Sequence, residues 1–144
     1  MRAAAVPGRS TLTFVADPSA DVRLRAPAVA SRQRRASVTP AVSLTDGQSV
    51  TVAWTGYTPG VSVNIVECSV SRPSSAGDCD LTSAKVLQPD PGGTGHLAFT
   101  VHTGRIGHRV CDAAHPGCVV AVNEGGSLAP GSTASIRISF APTG

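Results

Sequence analysis

Cys68, Cys79, Cys111 and Cys118 carry most of the reactive chemistry this chain offers. Two histidines interleave with the second pair, as His108-x-x-Cys111-x-x-x-His115-x-x-Cys118. Two imidazoles and two thiolates so close together are the donor types of a tetrahedral zinc site. The first pair has no histidine beside it, however. An even number of cysteines in two local pairs fits disulfides and an oxidising compartment better. Four cysteines allow three pairings, of which Cys68–Cys79 and Cys111–Cys118 close the shortest loops and are the simplest. Each would stabilise the fold by about 2–3 kcal/mol through loop entropy. No metal is therefore expected, and His115, before Pro116-Gly117, reads as a loop-tip residue.

Catalytic patterns are missing. There is no Gly-x-Ser-x-Gly elbow, no Ser-x-x-Lys and no glycine-rich phosphate loop. His102 and Asp112 could sit beside one of many serines, but nothing selects a nucleophile, and no enzyme is expected. Asp46, Asp78, Asp80 and Asp90 adjoin Gly, Cys or Pro, where aspartate favours turns. Glu67 differs, because it precedes Cys68 on a strand. It reads either as a charge near a cleft rim or as a solvent-facing strand residue.

These residues need elements to hold them, and the elements are strands. Val61-Ser62-Val63-Asn64-Ile65-Val66-Glu67-Cys68 opens in the period-2 alternation of a half-buried strand, with Val61, Val63 and Ile65 on one face. Ala36-Ser37-Val38-Thr39-Pro40 is an edge strand, since Pro40 cannot donate to a ladder. Leu44-Thr45-Asp46-Gly47 is a turn. Val50, Val52 and Trp54 share one face of the next strand. Gly56-Tyr57-Thr58-Pro59-Gly60 is another turn. Residues 84–87, then Leu97, Phe99 and Val101, then 109–112, 119–123 and the alternation Ala134, Ile136, Ile138, Phe140 complete about seven strands. Turns recur every 8–12 residues or so, as a two-sheet sandwich requires. No amphipathic helix and no internal repeat is present. Val, Ala, Ile and Leu dominate the apolar set, beside one Trp, one Tyr and three Phe. The core is thus built of small branched pieces, each burial contributing about 1.5–3 kcal/mol. The immunoglobulin signature itself, one long-range Cys pair around a Trp, does not fit, because both cysteine loops are local.

Charge divides the 144 residues unevenly. Residues 1–35 hold seven arginines against Asp17 and Asp21. The remainder holds five basic against seven acidic residues. Residues 1–35 read as a basic leader, with a misassigned start codon, a disordered leader or an extra segment packing on the domain as the open readings and the first two favoured, and residues 36–142 are expected to be the domain. Charged side chains interrupt every apolar run of the leader, so it lacks the core of a secretory signal. Arg32-Gln33-Arg34-Arg35 reads as a solvated basic linker. A mildly acidic domain does not suit direct binding to nucleic-acid phosphates.

The segment 36–142 resembles the neocarzinostatin–macromomycin family, the apoproteins of actinomycete chromoproteins. The resemblance rests on Val38-Thr39-Pro40 at the first strand, on Leu44-Thr45-Asp46-Gly47 and on the Cys68–Cys79 loop. Val101, the Cys111–Cys118 pair and the ending Ala134-Ser135-Ile136-Arg137-Ile138-Ser139-Phe140 complete it. It implies an all-β fold: a seven-stranded antiparallel, immunoglobulin-like sandwich with a small two-stranded ribbon and both local disulfides. A cleft between sandwich and ribbon then holds an enediyne chromophore non-covalently, and the released chromophore is what damages DNA. By position the cleft would be lined by Val66, Cys68, Val70, Cys79, Ala84, Val119, Ala121 and Asn123. The chain departs from the family at Val70 and Ala84, where aromatics are common, and in a shortened segment 102–110. Glu67 stands where the family often has Gln. Loss of aromatic faces removes area and stacking for a fused-ring ligand.

The expectation is a secreted, monomeric, non-enzymatic binding protein for a hydrophobic small molecule such as an enediyne, without membrane attachment. The alternative is a secreted sandwich that serves as an interaction module without a chromophore.

Overall fold

Nine strands, in a computed structural model that describes residues 34–88 and 91–143, form two facing sheets and a ribbon. The expectation of a leader falls, up to residue 33, outside the described residues. The first sheet has the order β1 (Arg35–Thr39), β2 (Ser49–Thr55), β5 (Gly95–Thr100). The second has the order β4 (Cys79–Leu87), β3 (Val63–Cys68), β8 (Val119–Glu124), β9 (Thr133–Arg137). The ribbon pairs β6 (Gly104–Ile106) with β7 (Arg109–Cys111). All strand pairings are antiparallel. Seven strands in the two sheets plus a two-stranded ribbon make the expected immunoglobulin-like sandwich.

Alternation places the core. Val50, Val52 and Trp54 of β2 point inward with Phe99 and Val101. They meet Val63 and Ile65 of β3 and Val120 and Val122 of β8. β8 reads Val-Val-Ala-Val-Asn without alternation, and all five residues are buried. A continuous apolar run marks a strand covered on both faces. Trp54 needs room beside β5, and Gly95 opposite it supplies that room: a side chain there would meet the indole ring.

Three features tie the sheets together. Tyr57, in the turn after β2, is buried and donates its hydroxyl to the Val122 carbonyl at 2.6 Å. Burial pushes its phenol up to about 12. Leu44 bridges to Phe140 in parallel, so the chain end leaves β8 and closes against the loop after β1. Arg34 and Glu124 form an ion pair of 2.6 Å, and Glu124 also accepts from the Thr58 amide at 2.9 Å. Arg34 holds the Glu124 carboxyl down to about 2. Arg34 is therefore no solvated linker residue: it clamps the start of β1 to the end of β8. β1 itself starts at Arg35, one residue before the expected boundary.

All four cysteines are oxidised, Cys68 to Cys79 and Cys111 to Cys118. With those sulfurs bonded to each other, the two-histidine, two-cysteine zinc arrangement has lost its thiolates. Among the described residues no cluster of His, Cys, Asp and Glu is arranged to hold a metal ion.

Candidate ligand cleft

Successive side chains of a strand point to opposite faces, so β3 and β8 present a second surface away from the core. Val66 and Cys68 of β3, Val119 and Ala121 of β8 and Cys79 form a separate buried cluster there, with Ala84 and Leu128 packed against it. Above this cluster lies a cavity of about 380 Å³, within the range of small-molecule sites. Val66, Cys79, Ala84 and Asn123 line it directly, while Cys68, Val119 and Ala121 lie beneath as its foundation. Val70 belongs to neither group. Seven of the eight residues expected at the cleft thus gather on one face of one sheet.

The walls come from three irregular segments. On β4, Lys85 pairs with Ile65 but Asp80 pairs with Glu67, so residues 81–84 arch outward opposite Val66 alone. This is an enlarged β-bulge, and bulges bend a strand and re-aim its side chains. Asp80 holds the arch: its carboxylate accepts from the Thr82 amide at 3.1 Å, the Thr82 hydroxyl at 2.6 Å and the Ser83 hydroxyl at 2.8 Å. Those bonds, the Thr82 hydroxyl first, keep the carboxyl below its ordinary range. Leu81 and Val86 stand at the rim, 59% and 69% exposed. They extend the apolar area of the cavity out to its mouth. The second wall is the turn at 74–76, tied by the Asp78 carboxylate to the Ser74 amide at 3.0 Å. The third is Gly126 and Leu128, after β8.

Two features differ from expectation. The ribbon does not bound this cavity. Its tip packs instead on the cysteine loop, where Gly107 (φ +62°) lies so close to the backbone of Gly77 to Cys79 that no side chain would fit. Glu67 is neither on the rim nor in solvent. It shares the inward parity of Val63 and Ile65, is fully buried, and accepts the His102 amide at 2.8 Å on one oxygen. The other oxygen has no partner. Burial pushes this carboxyl up to about 7, with Asp80 and Asp46 adding to the rise and the His102 amide opposing it.

Residues that could have suggested catalysis are used structurally. His115 Nδ1 lies 2.7 Å from Asp112 on the exposed loop, so Asp112 closes a turn. His102 lies 3.7 Å from Asp46, whose carboxylate takes the Thr103 amide.

Asn64, Leu81, Val86, Gly126, Leu128 and the turn at 74–76 were not foreseen at the site. Asn64 was readable, because period 2 puts it on the face of Val66. Val86, opposite Asn64 on β4, was readable in the same way, while the others depend on a bulge and two loops whose course no periodicity encodes.

The class of protein is thus an antiparallel immunoglobulin-like sandwich with an apolar cleft on the outer face of its four-stranded sheet. The profile of the Neocarzinostatin family matches residues 36–140, and the chain belongs to that family. Macromomycin of Streptomyces macromomyceticus is 39% identical over 67 residues, which is 46% of this chain and 46% of that protein. The aligned stretch thus spans about half the length of that curated relative. Among solved structures, macromomycin superposes with a TM-score of 0.59 at 28% identity, covering 76% of this chain and 100% of that one. The solution structure of apokedarcidin superposes with a TM-score of 0.52 at 25% identity, covering 74% and 97%.

Proposed function

We propose that this domain is a secreted, monomeric, non-enzymatic carrier. It holds a hydrophobic small molecule of the enediyne class, which the family resemblance implies, in the cleft between the β4 arch and the segment after β8. The supporting observation is the cleft itself: a disulfide-backed apolar floor with exposed Leu81 and Val86 at its mouth. A preformed site on a rigid sheet binds with little ordering cost. Exclusion of water and thiols would protect a labile compound. Action on DNA would belong to the released compound, because the domain's own charge is mildly acidic. No helix among the described residues is long and apolar enough to cross a membrane.

A second reading has its own observation. Among the described residues no aromatic side chain lines the cleft, and this favours a sandwich that recognises a partner without any chromophore.

Native mass measurement on protein from its own host, before and after organic extraction, separates the two. The carrier reading predicts an excess mass that extraction removes. A bare polypeptide, four hydrogens lighter than its reduced form, favours the ligand-free module.

A further inference from the structure

Two amides stand side by side at one end of the cleft, for Asn64 on β3 pairs with Asn123 on β8. They differ in what they bind. The Asn64 amide, oriented to satisfy its neighbours, donates to the Val63 carbonyl at 3.3 Å and accepts from the Gly126 amide at 3.2 Å. Asn123 is 3% exposed, and its Oδ1 is buried with no hydrogen-bond partner. Its backbone is fixed on a central strand between β3 and β9, and a turn of the carboxamide about its own bond presents the oxygen to the cleft that Asn123 lines. The other outward residues of β8, Val119 and Ala121, are apolar and well packed. A buried acceptor without a donor costs stability, and such groups in native proteins call for an explanation.

We propose that the cleft selects an apolar ligand bearing a hydroxyl or N–H group, which donates to the Asn123 carboxamide while its body packs on Val66, Ala84 and Leu128. This rests on the carrier reading and adds the chemistry of the ligand. A pure hydrocarbon leaves the carboxamide unpaired. A carboxylate brings only acceptors to an atom that is itself an acceptor. A hydroxyl serves best, since it can donate to the oxygen and accept from the amide nitrogen.

The test uses 4-cyclohexylphenol and its methyl ether, 4-cyclohexylanisole, which match in shape and differ in the donor. Binding is followed by amide shifts in NMR titrations of the oxidised full chain. Both probes should shift the amides of Asn64, Ala84 and Leu128, with the phenol binding about tenfold tighter. In Asn123→Leu that preference should vanish while the ether still binds, and the thermal midpoint should rise. Should the Leu variant not fold, Asn123→Ala carries the same expectation for the preference. Equal affinity of the two probes, a preference that survives the substitution, or a lower midpoint in Asn123→Leu overturns the donor proposal and leaves the cleft reading standing. No shift of cleft amides by either probe up to its solubility limit overturns the cleft reading itself.

Discussion

Glu67 enters the space between the sheets beside Val63 and Ile65, with one oxygen on the His102 amide and the other on nothing. A carboxyl so placed is easier to keep neutral than charged. Its ordinary value of 4.5 rises to about 7. The folded state therefore holds this proton where the unfolded chain releases it. The stabilising contribution is fully present below pH 4.5 and is lost as pH rises through about 7. Glu67→Gln keeps an acceptor for His102 and removes the titration. Relative to the parent it should gain stability between pH 4.5 and pH 8, by roughly 3 kcal/mol over the full span. Urea unfolding at both pH values measures this, and parallel pH profiles for the two proteins would contradict it. The inward position was already legible: alternation from Val63 and Ile65 puts residue 67 on the core face. What alternation cannot report is that the inner face stays closed there.

The β4 arch and the disulfide below it make one unit. Cys79 begins β4, and Cys68 ends β3, so the bond fastens the two strands just where their register jumps. Replacing both cysteines, Cys68→Ser with Cys79→Ser, should lower stability by about 3 kcal/mol on loop-entropy grounds. It should also weaken any cleft ligand, because the floor and the arch lose their common anchor. Cys111→Ser with Cys118→Ser should cost a similar stability yet leave ligand affinity nearly unchanged, since that loop lies away from the lining. Equal losses of affinity in both pairs would contradict this division. At this scale the sequence was readable where elements are regular. β2, β3, β8 and the closing strand follow from alternation or from a continuous apolar run. The arch at 81–84 was not readable, because its cause is a hydrogen-bond set around Asp80 that resembles any aspartate turn. The family resemblance implied a ribbon without placing it: the strand read at 109–112 covers one arm, and the other, at 104–106, is too short to show a period.

The whole molecule uses its two sheets differently. The three-stranded sheet contributes one face to the core, whereas the four-stranded sheet is buried on both faces along β3 and β8 and so supports a second apolar surface. Tyr57 and the Arg34–Glu124 pair fix that sheet to the rest. Seven of the eight residues that the family resemblance implied for the cleft lie together on this outer face, where strand parity alone accounts for Val66, Cys68, Val119, Ala121 and Asn123. Leu81 and Leu128 were not foreseen, because a bulge and a loop bring them there, whereas Val86 pairs regularly with Asn64 and shares its face. The proposed ligand binds this outer face. Hydrogen–deuterium exchange, on host-derived protein before and after organic extraction, tests it most directly. Loaded protein should show added protection at residues 64–66, 79–86 and 121–128, and none on the ribbon at 104–111. Protection confined to the ribbon or to the β1–β2–β5 sheet would contradict the account.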